Sequence, residues 1–155
     1  MQEIQIRPAV AGDAPELVEF NREMARETEN IELDPAVVKA GVEALFEHPE
    51  RGFYLAADAA GERLAGSLMV TSEWSDWRNG MFWWIQSVYV RPEYRRRGVY
   101  RALYRFVEAM AANHAEVCGF RLYVEKDNHR AQRTYRSLGM HETPYLLYEA
   151  LSDSN

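Results

Sequence analysis

A basic turn between a strand-like run and a helix-like run is the first segment whose residues could do chemistry. Residues 81–90 are mostly aromatic or β-branched, Pro92 ends that run, and apolar residues recur at helical spacing over 102–110. The turn itself contains three arginines, 95–97, followed by Gly98. The first N–H groups of a helix lack intrahelical partners and carry partial positive charge, and nearby arginines add charge-assisted hydrogen bonds. This order of elements predicts a phosphate-binding site where the helix begins.

A second pattern lies in residues 128–140. Asn128 is a typical helix cap, Ala131 and Tyr135 recur on one helical face, and Gly139 is typical of a helix end. A tyrosine on such a face either packs at the edge of a core or donates a proton to a reactant. The residues alone leave both roles open.

Both patterns resemble signatures of the GNAT superfamily of N-acetyltransferases. Residues 95–100, Arg-Arg-Arg-Gly-Val-Tyr, are similar to [Q/R]-x-x-G-x-[G/A], although Tyr100 stands where Gly or Ala is usual. Residues 128–140 are similar to N-x-x-A-x-x-x-Y-x-x-x-G-[FM]. The resemblance implies an acetyl-CoA-dependent N-acetyltransferase. The four histidines show no metal-ligand spacing, so we expect no metal. The cofactor-binding residues that it implies are Ser87, Val88, Tyr89, Val90, Arg95, Arg96, Arg97, Gly98, Val99, Tyr100, Arg101, Asn128 and Ala131.

The implied reaction is direct attack of an amine on the thioester in a ternary complex, and it needs two proton transfers. The amine must be neutral, although an alkylammonium has a pKa of about 10.4 in water. The thiol of the departing CoA has a pKa of about 8.5 by analogy with cysteine, so a well-placed phenol with a pKa of about 10 can protonate the thiolate. The resemblance gives this general-acid role to Tyr135. It also implies that a main-chain N–H within 88–90 donates to the thioester carbonyl.

The general base is not fixed by the sequence, because residues 81–90 contain no carboxylate. Two groups of acidic residues are candidates, one before that run and one near the first two helices: Glu73 and Asp76, and Glu27, Glu29 and Glu32. Glu73 is the possible base in our interpretation. A water relay through Gln86 or Ser87 is an equally open alternative.

The resemblance places the acceptor between the first two helices and the loop before the strand at 81–90. The residues there that would bind a cationic amine are Glu27, Glu29, Glu32 and Trp74, with Trp77 nearby. Carboxylates attract such an amine and an indole face adds cation–π contact. The other interpretation of the tryptophans is that they belong to the core or to a subunit interface. The acceptor is accordingly a small molecule or a peptide that carries a primary amine.

The elements that must position these residues follow from periodicity and from turn residues. The first half contains a strand at 3–7, a helix capped by Asp13 with Glu16, and a helix from Asp34-Pro35 to His48-Pro49. A hairpin of 52–57 and 63–71 around the turn 58–61 follows, and a loop at 72–80 leads to a strand at 81–90. The last part contains a helix, a strand at 120–124, a helix after Asn128 and a strand at 145–149. The order is β-α-α-β-β-β-α-β-α-β.

This order predicts an α/β (α+β) fold with a mixed, mostly antiparallel sheet. With the resemblance, we expect a GNAT-like sheet of about six to seven strands flanked by four helices. We also expect the strand–helix–strand unit from 81 to 124 to join parallel strands. Residues 1–155 form one predicted domain, ordered over about 3–150, because we find no repeat, linker or low-complexity segment.

Composition excludes several function classes. The net charge of −6 argues against nucleic acid and anionic membrane as partners, even though the arginines cluster around 91–105. A single cysteine, Cys118, indicates neither a disulfide nor a zinc site, and residues 1–6 lack the pattern of a signal peptide, so we expect a cytoplasmic protein.

A homodimer is expected from the resemblance. The alternative function is a non-catalytic acyl-CoA sensor, which retention of Tyr135 and Gly98 disfavours.

Overall fold

A computed structural model describes residues 3–60 and 63–153. The strands are β1 (Ile4–Pro8), β2 (Gly52–Ala59), β3 (Arg63–Ser75), β4 (Gly80–Val90) and β5 (Val117–Arg121). The helices are α1 (Ala14–Glu29), α2 (Pro35–Glu47), α3 (Val99–Ala111) and α4 (His129–Ser137). The chain forms two compact units, and the first, which ends at Tyr123, contains all five strands and α1–α3. The second begins at Val124 and contains α4.

The sheet confirms the predicted α/β fold and its mixed, mostly antiparallel character. The strand order is β1-β2-β3-β4-β5, in which the first four strands are antiparallel neighbours and β5 runs parallel to β4. The parallel pair confirms the expected connection through α3, because parallel strands need a crossover rather than a hairpin.

The two faces of the sheet bury different helices. On one face, Phe20 of α1 packs against Tyr89 with ring centroids 5.1 Å apart, in a core that also contains Tyr54. Phe53, the neighbour of Tyr54, must point to the other face, where its ring contacts Trp83. On that face α3 buries Val99, Leu103 and Val107, and Tyr104 contacts Phe120 of β5. Tyr89, near the end of β4, therefore lies on the face that α1 and α2 cover.

The start of α1 differs from the prediction. Asp13 does not cap the helix, since its backbone is already helical at the end of a 3₁₀ turn, and its side chain instead accepts hydrogen bonds from Arg7 at 2.8 and 3.0 Å. The Asp13 carboxylate also accepts from the Val10 N–H at 2.8 Å. Glu16, the expected second half of a capping box, pairs with Arg91 at 2.8 Å. By contrast, the predicted cap of α2 is confirmed, because Asp34 accepts from the Ala36 N–H at 2.9 Å.

The predicted loop at 72–80 is mostly strand. β3 continues through Ser75 and pairs Glu73 with Phe82 and Trp74 with Met81, so only residues 76–79 form the turn. The side chains of this extension are largely exposed, so the hydropathy of the sequence did not predict a strand there. In the preceding hairpin, β2 includes Asp58 and Ala59 of the predicted turn, and Gly61 lies outside the described residues.

The predicted strand at 145–149 is wrong, and the sheet has five strands in the described residues rather than six to seven. Four apolar side chains of that segment are exposed, and they are Tyr145, Leu146, Leu147 and Tyr148. Their β propensity suggested a strand, but a strand requires a hydrogen-bonded partner and propensity does not supply one. The last strand of the sheet, β5, also begins and ends three residues earlier than the predicted strand at 120–124.

Candidate functional site

The parallel pair β4–β5 separates partway along β4. The two strands pair only from Met81 to Trp84 of β4. Over Ile85–Val90, β4 has β3 on one side and, within the part of the chain that the structure describes, no strand on the other. Backbone N–H groups directed to that open side are available to an extended ligand, as at an unpaired strand edge. The Val90 carbonyl already accepts a hydrogen bond from Arg95 Nε at 2.8 Å.

A β-bulge lies in the open part of β4. Ser67 pairs with Tyr89 and Met69 pairs with Gln86, so Ser87 and Val88 together oppose the single residue between Ser67 and Met69. Ser87 has a φ of 51°, a left-handed conformation that is uncommon for a residue other than glycine. Such bulges bend a strand and redirect its backbone groups, and they are frequent beside functional sites.

The chain passes from β4 to α3 through the predicted phosphate-binding turn. Gly98 is the N-cap of α3 with a φ of 76°, and its carbonyl accepts the first helical hydrogen bond from the Ala102 N–H at 2.9 Å. The N–H groups of Val99, Tyr100 and Arg101 precede that bond and have no carbonyl partner within the helix. A Cβ at Gly98 would meet no atom within 4 Å, so the backbone angle rather than space requires glycine here.

The arginines of this region divide into two classes. Arg91 pairs with Glu16 at 2.8 Å and stacks over Phe20, which ties β4 to α1 inside the fold. In the described residues, three other arginines have no carboxylate within 4.0 Å: Arg96, Arg97 and Arg101. All three are exposed. They leave positive charge without an internal counter-ion beside the start of α3, which is what a bound phosphate requires.

Tyr100 stands at the position that the signature gives to Gly or Ala, and its ring lies along α3. The ring centroid is 6.4 Å from that of Tyr104, one turn further on, and Tyr104 in turn contacts Phe120. The three rings form a row between α3 and β5. This packing accounts for the size of the residue at position 100.

One predicted acceptor residue, Glu27, meets a predicted cofactor residue, Arg95. Glu27 lies in the last turn of α1 and accepts a hydrogen bond from Arg95 Nη2 at 2.7 Å. The Tyr89 hydroxyl donates to the other Glu27 oxygen at 3.3 Å. Burial, and after it the negative charge of Glu27, raises the pKa of Tyr89, so this phenol stays a donor. Glu27, Tyr89 and Arg95 thus form one polar cluster at the bulged end of β4.

The other predicted acceptor and base residues lie elsewhere. Glu73 pairs with Arg121 at 2.7 Å and faces Phe82, five residues or about 17 Å along β4 from Ser87. Trp74 is exposed at the same end of the sheet. Glu32 pairs with Arg26 at 2.7 Å, and Glu29 is exposed at the end of α1. Only Glu27 among these carboxylates contacts the open end of β4.

Gln86, one of the two residues predicted for a water relay, points toward β3. Its Nε2 donates to the Thr71 hydroxyl at 2.6 Å, on the sheet face where Trp84 also lies. Trp84 contacts Tyr123 with ring centroids 6.0 Å apart. Beside the polar cluster, this face therefore offers an aromatic and amide surface rather than a carboxylate.

The second unit contains the other predicted site residues. Asn128 caps α4 by accepting from the Ala131 N–H at 3.2 Å, as the sequence predicts. Gly139 has a φ of 93°, and the Met140 N–H donates to the Tyr135 carbonyl at 3.1 Å, which is a Schellman end. Burial raises the pKa of the Tyr135 phenol, so this side chain is protonated at neutral pH.

A metal-binding group and a membrane-spanning helix are both absent from residues 3–60 and 63–153. No group of three or more histidine, cysteine, aspartate or glutamate side chains there is arranged to hold a metal ion. No helix in those ranges is both long and apolar enough to span a bilayer.

Known proteins resemble this chain in sequence and in fold. The profile of the acetyltransferase (GNAT) family matches residues 14–140. The crystal structure of a possible acetyltransferase from Clostridium difficile 630 is 42% identical, with a TM-score of 0.88 over 96% of this chain and 97% of that one. No curated protein sequence matches the chain.

More distant structures share the fold alone. The ribosomal-protein-alanine N-acetyltransferase from Brucella melitensis biovar Abortus 2308 is 15% identical, with a TM-score of 0.77 over 97% of this chain and 99% of that one. The glucosamine-6-phosphate N-acetyltransferase from Arabidopsis thaliana is 14% identical, with a TM-score of 0.75 over 97% of this chain and 100% of that one.

Proposed function

Because the chain belongs to the acetyltransferase (GNAT) family, we propose that it transfers an acetyl group from acetyl-CoA to the primary amine of a small molecule or peptide. The observation that carries this proposal is the open edge of β4 over Ile85–Val90, which leads directly into the Gly98 cap of α3. An unpaired strand edge suits the amide-rich arm of the donor, and the start of α3 suits its diphosphate. When bound, the donor supplies the acetyl thioester.

The residues at the bulge activate the thioester and the amine in this proposal. A main-chain N–H within Val88–Val90 donates to the thioester carbonyl oxygen, where negative charge develops during attack. Glu27 attracts the protonated amine and, directly or through one water, accepts its proton. Glu27 is favoured over Glu73 in this role because it contacts β4 beside the bulge, whereas Glu73 pairs with Arg121 at the far end.

Tyr135 completes the proton balance as the general acid. After Glu27 has taken one proton, the neutral amine nitrogen forms the new bond to the acetyl carbon, the carbon–sulfur bond breaks, and the sulfur takes the Tyr135 proton. The nitrogen loses its second proton to water, water reprotonates Tyr135, and one proton is released per turnover. The phenol is protonated at neutral pH, as a general acid must be, and its pKa, which burial raises, makes it a weaker proton donor than a free tyrosine. The products are an N-acetyl amine and free CoA.

The acceptor surface of the proposal combines negative charge with aromatic rings. Glu27 provides the charge, while Trp84 and Tyr123 provide the rings on the same face of the sheet. These features fit an amine with an apolar or aromatic body, through ion pairing and cation–π contact. A cytoplasmic location and a homodimer stay predictions, and light scattering of the purified protein tests the second.

The test is a panel of amines assayed for release of the CoA thiol, with mass spectrometry of the acetylated product. The panel contains polyamines, amino acids, aminoglycosides and peptides with a free N-terminus. Acetylation of at least one amine supports the proposal. Tight binding of acetyl-CoA without transfer to any of them supports the acyl-CoA sensor instead.

A further inference from the structure

The Glu27–Arg95 pair connects the proposed amine-binding residue, Glu27, with a proposed acetyl-CoA-binding residue, Arg95. Arg95 Nη2 donates to Glu27 Oε2 at 2.7 Å, and Arg95 Nε donates to the Val90 carbonyl at 2.8 Å. The guanidinium also lies over the Tyr89 ring, 5.5 Å from its centroid. Arg95 is thus turned back onto the end of β4 and onto α1.

This position differs from that of the neighbouring arginines. Arg96, Arg97 and Arg101 have no carboxylate within 4.0 Å in the described residues, whereas Arg95 is neutralised by Glu27. The side chains of both partners are 37% exposed, so a ligand can reach either one from solvent. A guanidinium binds phosphate and carboxylate with the same forked geometry, and the two anions therefore compete for it.

We propose that Glu27 holds Arg95 only in the free protein, and that the diphosphate of acetyl-CoA takes Arg95 over and releases Glu27 for the cationic amine. This inference rests on the proposed function and assigns to it a coupling between its two ligands, in which each binds more tightly when the other is present. Once Arg95 turns to the diphosphate, Glu27 keeps its bond from Tyr89 but loses its counter-ion. Its negative charge then attracts the protonated amine more strongly.

The coupling is reciprocal, because two ligands that share one equilibrium change each other's affinity by the same factor. It is also modest, since the pair is partly exposed and such pairs contribute little to stability. We expect a change of about threefold to tenfold in the affinity for acetyl-CoA when the competing carboxylate is removed.

The test measures the dissociation constant of acetyl-CoA alone by calorimetry at one fixed salt concentration, since phosphate contacts are salt-dependent. Glu27→Gln keeps the shape of the side chain and removes its charge, so it is expected to bind acetyl-CoA about threefold to tenfold more tightly than the wild type. Glu19→Gln is the matched control: it removes one charge from the same helix, and Glu19 contacts Arg22 and Arg26 rather than Arg95. Its affinity should equal that of the wild type.

The same measurement in an Arg95→Gln protein shows whether the gain in acetyl-CoA affinity depends on Arg95. In Arg95→Gln, the added Glu27→Gln substitution should have no further effect on affinity. An unchanged or weaker affinity in Glu27→Gln, an equal gain in Glu19→Gln, or a gain that persists without Arg95 would each overturn the inference. If Arg95→Gln does not fold, the comparison of the two glutamate variants still decides. A wild-type protein that binds no acetyl-CoA would instead refute the proposed function.

Discussion

The Tyr89 hydroxyl donates a hydrogen bond to Glu27 Oε1 at 3.3 Å, across 62 residues of sequence. This contact connects the last turn of α1 with the bulged end of β4. It places a carboxylate beside a central strand that contains none of its own. The proposed site therefore depends on tertiary contacts between elements as well as on the two sequence signatures.

Glu27→Gln is expected to lower kcat/KM for the amine by about tenfold or more, because one charge-assisted contact corresponds to about 1.4 kcal/mol. The measurement is initial rate against amine concentration at saturating acetyl-CoA, which removes any effect on cofactor affinity. Glu73→Gln is the comparison that separates the two candidate bases. A larger loss in Glu73→Gln than in Glu27→Gln would move the base to the Arg121 end of the sheet.

Tyr135→Phe should lower turnover by about 10²-fold, a typical contribution of a general acid, while the affinity for acetyl-CoA stays the same. Because burial raises the pKa of Tyr135 above its ordinary value, activity that needs the protonated phenol should be lost only as the pH rises beyond about 10. Tyr148→Phe is the control, since Tyr148 is exposed in the same unit. Full turnover in Tyr135→Phe would remove this residue from the mechanism.

The local signals in the sequence predicted the ends of several helices, since a cap is set by neighbouring residues. Asp34, Asn128 and Gly139 lie where they were expected and for the expected reason. The basic turn and the start of α3 were predicted for the same reason. The bulge at Ser87 and the separation of β4 from β5 depend on strand register, which one sequence does not reveal.

The long-range contacts account for the remaining differences. Asp13 had two possible partners, the N–H groups of α1 and a guanidinium, and the guanidinium of Arg7 displaced the expected cap. The pairing of Glu27 with Arg95 joins an acidic stretch to a basic one, and sequence patterning showed the two stretches without showing that they meet. The segment at 145–149 had the composition of a strand but no ladder partner in the described residues.

Asp13→Asn is expected to lower the free energy of unfolding by about 1–2 kcal/mol at pH 7, because it removes a charge-assisted pair with Arg7. The Arg7 guanidinium holds the pKa of Asp13 below its usual range, so the stabilisation is complete above about pH 4 and is lost as the pH falls through the folded-state pKa. Urea unfolding at pH 7 and near pH 2 measures the difference. It should shrink at the lower pH.

Asp34→Asn serves as the control for that experiment. Asparagine caps a helix about as well as aspartate, so stability at pH 7 should change by only a few tenths of a kcal/mol. An Asp13→Asn protein that is as stable as Asp34→Asn at pH 7 would show that the Arg7 contact is not stabilising.

Gly98→Ala and Gly41→Ala should change stability in opposite directions, although an added Cβ meets no atom within 4 Å at either site. Gly98 has a φ of 76°, where an alanine costs about 1 kcal/mol, and the helix start that should bind phosphate would be distorted. Gly41 lies inside α2, where alanine should add about 0.5–1 kcal/mol. Chemical denaturation measures both variants. A stabilised Gly98→Ala protein would contradict the left-handed cap.

The most direct test of the account is backbone amide hydrogen exchange, followed by NMR with and without saturating acetyl-CoA. The open edge of β4 predicts slower exchange within Ile85–Val90 and in the first turn of α3 when acetyl-CoA is added. Met81–Trp84 is the internal reference, because β3 and β5 already pair with it. If acetyl-CoA left exchange over Ile85–Val90 and Val99–Arg101 unchanged, the donor would not lie along this edge, and the proposed site would be contradicted.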